Sequence, residues 1–179
     1  PTNTLVTYCN GTPIPDLSVV DNGFDTYFWY NDPSDVASIF EGSVFSSTTG
    51  GTATYWVQAV SAANCVSNFV SINLVENPKP DNPTGDNETY CEGDVVPDLN
   101  VTDEGVDAYF WFADTTATSI FEGSTLSPPS VGTATYWVQA VSPDNCISDF
   151  VAIELIENPN PDNPVGDNET YCEGDAIPD

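Results

Sequence analysis

Five cysteines are the residues of this 179-residue chain with the clearest capacity for covalent chemistry. Cys9 and Cys65 lie in one segment, Cys91 and Cys146 in a near copy of it, and Cys172 opens a third copy. Two thiols in each small unit are typical of disulfides and of an oxidising, extracellular setting. Zinc binding is disfavoured, because the chain has no histidine and no C-x-x-C pair.

The composition argues against catalysis and against binding to polyanions. The single cation is Lys79, against 28 Asp and Glu, and the net charge is −27. Ser–His and Cys–His sites need a histidine base, whereas DNA, RNA and anionic membranes attract lysine and arginine. Paired carboxylates could hydrolyse glycosides, yet no particular pair stands out. We therefore expect no enzyme and no nucleic-acid partner. We also expect no direct membrane insertion, because no apolar run approaches the ~20 residues that span a bilayer.

Oxygen-rich side chains concentrate where one unit joins the next. Calcium takes six to eight oxygen ligands. We predict calcium sites at these junctions, with a solvated acidic turn as the alternative, and we expect no cofactor to be required. The candidate ligands are Asp81, Asp86 and Glu88, and in the copy Asp162, Asp167 and Glu169.

The elements that position these groups belong to a tandem repeat. The tripeptide Thr-Tyr-Cys ends at Cys9, Cys91 and Cys172, with spacings of 91 − 9 = 82 and 172 − 91 = 81 residues. Such a period marks an array of small domains. We expect this chain to be a window from a longer tandem protein. The predicted division is repeat 1 at 1–77, a Pro-rich linker at 78–83, repeat 2 at 84–158, a second linker at 159–164 and the start of a third repeat at 165–179.

Within each repeat, apolar residues alternate with period two. Val70, Ile72 and Leu74 recur in the second copy as valine, isoleucine and leucine, while the residues between them change. One constant and one variable face indicate strands with one buried side. We predict an all-β fold of tandem immunoglobulin-like β-sandwiches joined by short Pro-rich linkers. The predicted core anchors are Trp29, Tyr55, Trp111 and Tyr136.

The same immunoglobulin-like pattern guides the cysteine pairing. In such a topology, the start of the unit and the loop before its last strand can meet at one end of the domain. We therefore predict disulfides Cys9–Cys65 and Cys91–Cys146, each stabilising its own repeat by roughly 4 kcal/mol. The competing pairing, Cys65–Cys91 and Cys146–Cys172, would tie neighbouring repeats together.

The ordered motifs of each repeat resemble a known family. They are Tyr-Cys-x-Gly, an aromatic strand (Tyr-Phe-Trp-Tyr in the first repeat, Tyr-Phe-Trp-Phe in the second), Thr-Ala-Thr-Tyr-Trp-Val-Gln-Ala-Val-Ser, Asn-Cys-x-Ser and a closing Val-x-Ile-x-Leu. Together they resemble the immunoglobulin-like repeats of large Bacteroidetes surface proteins, which type IX secretion exports and which include gliding-motility adhesins and filament proteins. The resemblance implies a cell-surface location.

Glycosylation offers further candidate positions. Asp114-Thr115-Thr116 resembles the O-glycosylation signal of Bacteroidetes, which would place a glycan on Thr115. Four asparagines match the N-x-Ser/Thr pattern, which also arises by chance in a chain rich in Asn and Thr. They are Asn10, Asn87, Asn100 and Asn168.

Two functions follow from these observations. The first is a structural segment of an extracellular stalk, adhesin or filament, whose partners are neighbouring repeats and other copies in a fibre. The alternative is a carbohydrate- or partner-binding module that uses outward-facing aromatics such as Phe28, Tyr30 and Trp56. Packing within or between repeats would equally account for those rings.

Overall fold

A computed structural model describes residues 4–21, 23, 25–102, 105–106, 108–166, 170 and 172–174. The described part is built of strands, turns and loops. The strands of the first repeat are β1 (Thr4–Cys9), β2 (Leu17–Ser18), β3 (Asp25–Tyr30), β4 (Phe40–Glu41), β5 (Val44–Phe45), β6 (Ala53–Ser61) and β7 (Val70–Asn77). Those of the second are β8 (Glu88–Cys91), β9 (Leu99–Asn100), β10 (Ala108–Phe112), β11 (Phe121–Glu122), β12 (Thr125–Leu126), β13 (Ala134–Val141) and β14 (Val151–Asn158).

Each repeat is a sandwich of one large and one small sheet. In the first, a five-stranded sheet has the order β1-β7-β6-β3-β4, and β2 pairs with β5 in the second layer. The other repeat follows the same plan, with the order β11-β10-β13-β14-β8 and a β9–β12 pair. The prediction of tandem all-β sandwiches is confirmed. None of the residues described here forms a helix long and apolar enough to cross a bilayer.

The alternation seen in the sequence decides which face of each strand is buried. Ile72 and Leu74 on β7 are buried, while their neighbours along the strand are only half-buried. Tyr55 and Val57 on β6 point into the same core. The apolar area removed from water in this way stabilises each sandwich by about 25 cal/mol per Å².

A fully buried tryptophan occupies the centre of each core. Trp29 on β3 and Trp111 on β10 are both 0% exposed. Their indole N–H groups donate to the carbonyl oxygens of Gly42 and Gly123, each at 2.8 Å. Burial of the ring is therefore not opposed by an unsatisfied polar atom. Tyr55 and Tyr136, the other two residues expected in the core, are 6% and 5% exposed.

The outermost strand of each large sheet runs parallel to its neighbour. β1 pairs with β7 in parallel, so that Cys9 lies opposite Asn77, the last residue of β7. β8 pairs with β14 in the same way and places Cys91 opposite Asn158. The first cysteine of each repeat therefore lies at the end of the sandwich from which the chain leaves.

The end of the linker packs against the second repeat. Pro83 is buried, and the N–H of Thr102 donates to the carbonyl oxygen of Thr84 at 2.8 Å. A β-carbon on Gly85 would lie 2.5 Å from the carbonyl oxygen of Asn100 and 2.7 Å from Ile153 Cδ1. Only a residue without a side chain can approach the sandwich so closely.

Removal of the Trp29 ring tests the core. We expect Trp29→Ala to cost about 3–5 kcal/mol and to unfold the first repeat while largely sparing the second, because tandem units couple mainly through neighbours. Thermal unfolding under reducing conditions should then resolve two transitions. Phe28→Ala, on the outward face of the same strand, is the control and should shift the transition less. An unchanged midpoint for Trp29→Ala would contradict the assignment.

Gly85→Ala tests the docked linker. The added methyl group meets backbone and side-chain atoms of the second repeat, so we expect a loss of about 1–3 kcal/mol from that repeat's unfolding transition. Gly166→Ala, two residues after the second linker as Gly85 is two residues after the first, is the matched control, because a β-carbon there has no heavy atom within 4 Å. Equal effects of the two substitutions would show that Gly85 does not make this close contact.

Candidate functional site: the cystine between repeats

A disulfide joins the two repeats across the linker. It connects Cys9, at the end of β1, to Cys146, in the loop before β14, with a Cα–Cα distance of 5.5 Å. Cys65, Cys91 and Cys172 are free and exposed. The predicted pairs Cys9–Cys65 and Cys91–Cys146 are therefore both wrong. The competing pairs, Cys65–Cys91 and Cys146–Cys172, are not formed.

The parallel direction of β1 explains this correction. Cys65 precedes the first residue of β7, whereas Cys9 lies beside the last residue of β7. β7 has eight residues, so the two sulfurs are separated by roughly 25 Å along the sheet. A disulfide requires Cα atoms no more than about 7 Å apart. The same argument separates Cys91 from Cys146.

Two polar contacts accompany the cystine at the junction. Lys79 Nζ in the linker donates to Asp149 Oδ1 at 2.6 Å. The backbone N–H of Asp149 donates to Asn82 Oδ1 at 3.0 Å. The single cation of the chain thus neutralises a carboxylate of the second repeat. An exposed ion pair of this kind is worth about 0–1 kcal/mol, so the covalent bond dominates the contact.

Equivalent residues near the cystine differ in burial between the two repeats. Cys146, Ser148 and Ala140 are 0%, 3% and 1% exposed. In the first repeat, their counterparts Cys65 and Ser67 are exposed and Ala59 is half-buried.

Little in the sequence indicates this contact. The residue pattern identifies Cys9 and Cys146 as disulfide residues but predicts the wrong partners for them. Lys79 was visible as the only cation of the chain, situated in a linker. Its partner Asp149 is one carboxylate among many and lies 70 residues away. No pattern in the sequence connects the two.

The predicted calcium ligands of the first junction, which the structure describes, do not converge. Within the described part of the chain, no group of three or more Asp, Glu, Cys or His side chains is placed to hold a metal ion. Asp81 and Asp86 are five positions apart in a Pro-rich segment without secondary structure, and Glu88 begins β8. Asp162 is exposed, and Asp167 and Glu169 lie outside the described residues. The first junction therefore gives the calcium prediction no support.

Three of the predicted N-linked positions already make hydrogen bonds. Asn10 Nδ2 donates to Glu76 Oε1 at 2.8 Å, and Asn87 Oδ1 accepts from the N–H of Glu154 at 2.8 Å. Asn100 Oδ1 accepts from Thr125 Oγ1 at 2.7 Å. Asn168 lies outside the described residues. A glycan on any of the first three would have to displace or share these contacts.

Thr115 lies in an exposed turn that Asp114 organises. The hydroxyl and the N–H of Thr116 both donate to Asp114 Oδ1, at 2.7 Å each, and these bonds lower the pKa of that carboxyl. Ser34 lowers the pKa of Asp32 in the same way in the first repeat. Because the folded-state pKa is lowered, this contribution to turn stability is present above the ordinary value of 3.8 and is lost as the pH falls below it.

The outward-facing aromatics pack against one another. Tyr30 contacts Phe69 edge-on with ring centroids 5.3 Å apart, and Phe112 contacts Phe150 in the same manner at 5.2 Å. Phe28 and Trp56 are half-buried. Edge-to-face pairs stabilise the outer surface of the sheet and leave less ring area for a sugar.

A small cavity of about 80 Å³ lies between the linker and the second repeat. It is too small for a sugar ring, since ligand pockets usually measure about 300–1,000 Å³. Its lining residues are Pro80, Asp81, Asn82, Pro83, Val106 and Tyr109.

Two β-sandwiches in series, with a covalent bond across their linker, define a tandem immunoglobulin-like repeat module. The chain belongs to the family described as "Ig-like domain CHU_C associated", which matches residues 1–78 and 80–159. These two matches confirm the resemblance to immunoglobulin-like repeats of Bacteroidetes-type proteins. Together with the disulfide, they indicate a structural, extracellular repeat module.

A solved structure with a TM-score above 0.5 supports the fold assignment, and others are similar at lower scores. The fibronectin(III)-like modules of Clostridium thermocellum CbhA are 13% identical, with a TM-score of 0.51 over 89% of this chain and 92% of that chain. An I-band fragment of titin is 12% identical, with a TM-score of 0.39 over 89% and 64%. SGBP-B of the Bacteroides ovatus mixed-linkage glucan utilization locus, solved with a heptasaccharide, is 12% identical, with a TM-score of 0.33 over 86% and 43%. The curated proteins contain no match to this chain.

Peptide mapping under non-reducing conditions tests the cystine. We expect a linked pair of peptides that contain Cys9 and Cys146, and alkylation of Cys65 and Cys91 without prior reduction. Cys146→Ser should free Cys9 for alkylation, whereas Cys65→Ser should leave the linked pair intact. A linked pair containing Cys9 and Cys65 would restore the pairing within the repeat.

Proposed function

We propose that this chain is a stiff segment of an extracellular stalk, adhesin or surface filament, exported by type IX secretion. The observation that carries the proposal is the cystine between Cys9 and Cys146. A disulfide inside one sandwich would serve only the stability of that sandwich. One between sandwiches fixes their relative position, which matters for a protein whose task is to span distance.

Three constraints act together at the junction. The cystine holds the exit end of the first sandwich against the entry end of the second. Linker prolines restrict the backbone, since each fixes its own φ. Pro83 and Gly85 attach the end of the linker to the second repeat. A hinge between two bodies needs a single flexible connection, and here the linker and the cystine form two.

Charge favours extension of such a segment. Carboxylates on neighbouring repeats repel one another over roughly 8 Å at physiological salt. Repulsion alone would extend the chain in low salt and leave it flexible in high salt. The cystine maintains the arrangement at any ionic strength, which suits a strongly acidic surface protein.

The alternative of a glycan-binding module has less support. It would need exposed rings aligned as a platform or a pocket of sufficient size. Instead, outward rings pair edge-on, as between Tyr30 and Phe69, and the cavity at the linker is small. A structural role fits these observations better. Within the proposal, adhesion to glycans or other surfaces belongs to parts of the protein other than these two repeats.

Small-angle scattering of the oxidised chain tests the proposed stiffness. We expect Cys146→Ser to broaden the distribution of angles between the repeats, because it removes one of the two connections. Cys65→Ser is the matched control, since it replaces the equivalent cysteine of the first repeat, and should leave the scattering curve unchanged. Reduction of the unmodified chain should reproduce the effect of Cys146→Ser.

The response to divalent ions distinguishes stiffening by the cystine from stiffening by bound calcium. Millimolar calcium should change the scattering no more than magnesium at matched ionic strength, and a chelator should have no effect on the oxidised chain. Indistinguishable curves for the oxidised chain and for Cys146→Ser would contradict the proposed role of the cystine. A specific response to calcium would instead favour an ion at the junction.

A further inference from the structure

We propose that Cys65 and Cys91 each form a further disulfide with another repeat of this kind. Cys65 would bond to the cysteine equivalent to Cys91 in that repeat, and Cys91 to the cysteine equivalent to Cys65. Cys65 is the counterpart of Cys146, and Cys91 is the counterpart of Cys9. Cys65 lies at the end of repeat 1 that faces away from repeat 2, and Cys91 at the end of repeat 2 that faces away from repeat 1. This inference deepens the proposed structural role and rests on it.

The backbone around Cys91 matches that around the bonded Cys9. The carbonyl oxygens of both cysteines accept at 3.0 Å from the N–H three residues later, in Thr12 and Asp94. The residue after each cysteine donates at 2.9 Å to the last residue of the parallel neighbour, Asn77 or Asn158. The free thiol is thus held in the conformation that forms a disulfide elsewhere in the same molecule.

The loop around Cys65 equally matches that around the bonded Cys146. Ser61 Oγ accepts from the N–H of Cys65 at 3.1 Å, and Ser142 Oγ accepts from that of Cys146 at 3.2 Å. The asparagine before each cysteine has a positive φ, 60° at Asn64 and 61° at Asn145. Non-glycine residues rarely adopt this conformation, so its presence in both loops shows that the loop geometry does not depend on the bond.

Burial identifies the surface that a further repeat would cover. Cys146, which is bonded to Cys9 of the first repeat, and Ser148 are inaccessible, and Ala140 is buried in the core of the second repeat. Of their counterparts, Cys65 and Ser67 are exposed and Ala59 is half-buried, although the hydrogen bond between Ala59 and Ser67 is kept. Ala59 N–H donates to Ser67 Oγ at 3.0 Å, as Ala140 N–H does to Ser148 Oγ at 2.8 Å.

Only some residues that form the polar contacts of this junction have equivalents for a second junction. Asn82, which accepts from the Asp149 N–H, recurs as Asn163. The ion pair does not recur, because Asn160 replaces Lys79 and Asn68 replaces Asp149. Both changes are to neutral residues, so a second junction lacks the charge pair but contains no new repulsion. The cystine and the asparagine contact are therefore the elements for which the sequence provides counterparts at a second junction.

Bond formation requires an oxidant, for which we name a small-molecule disulfide such as oxidised glutathione. The Cys91 thiolate attacks one sulfur of that disulfide and releases one thiolate. The Cys65 thiolate of another repeat then attacks the Cys91 sulfur of the mixed disulfide and releases the second. Two protein thiols thereby lose two protons and two electrons, and one disulfide becomes two thiols.

The test uses two variants of the full chain, each with one of the two thiols. C65S/C172S retains Cys91, and C91S/C172S retains Cys65. Equal amounts, one isotopically labelled, are oxidised with glutathione disulfide in 1 M NaCl, which reduces the screening length to about 3 Å and so suppresses repulsion between acidic copies. Non-reducing electrophoresis and mass spectrometry then count the heterodimers and both homodimers.

Docking of complementary ends predicts heterodimers in about tenfold or greater excess over either homodimer, against about twofold for random pairing. The same oxidation in guanidinium chloride is the control and should return the random ratio, because unfolded chains have no docking surface. A random ratio for the folded variants, an excess of homodimers, or glutathionylated monomers alone would overturn the inference. These failures would leave the Cys9–Cys146 bond, and with it the proposed structural role, intact.

Discussion

The parallel pairing of the first strand with the last strand of each sandwich determines how the repeats are connected. Because β1 runs alongside β7 in the same direction, Cys9 and the start of the linker lie at the same end of the sheet. An antiparallel β1 would place Cys9 near Cys65, and the bond would then close a single domain. The direction of one edge strand thus decides whether the cysteines stabilise a repeat or connect two of them. The linker contacts of Lys79 and Asn82 depend on the same arrangement, since they form where the two ends meet.

Most of the fold could be predicted from residue patterns, because burial imposes a period on the sequence. Ile72 and Leu74 reveal the inward face of β7, and the tryptophans at Trp29 and Trp111 mark the cores. The direction of β1 could not be predicted in this way. Its side chains alternate identically whichever way the strand runs, and Leu5 is 63% exposed, so the strand carries only a weak apolar signal. The pairing error followed directly, since spacing in sequence does not tell which end of a sandwich a cysteine occupies. The placement of the calcium candidates could not be predicted for a related reason: carboxylates close in sequence need not converge on an extended linker, and those described at the first junction do not.

The charge of the chain affects which contacts between copies are favourable. Side-by-side association would bring two strongly acidic surfaces together with almost no cations to compensate. End-to-end contact instead involves the cysteines, an asparagine hydrogen bond and one compensated charge pair. The negative charge therefore disfavours side-by-side association of copies and has a smaller effect on end-to-end association. The single lysine lies at this axial contact, where its charge offsets the carboxylate of Asp149.

The position of the cystine also decides which part of the chain bears load. Tension applied at the two ends enters through β1, crosses from Cys9 to Cys146 and leaves through β14. The bond bridges 137 positions of the sequence, so the segment between the two cysteines lies outside the direct line of force. Only residues 1–9 and 146–179 remain in that line, which is 9 + 34 = 43 of 179 residues. At about 3.5 Å per residue, even complete unfolding would extend the oxidised chain to only about 150 Å, against about 630 Å for the reduced one. The thiol–disulfide state of one pair of residues thus sets the length to which the segment can be stretched.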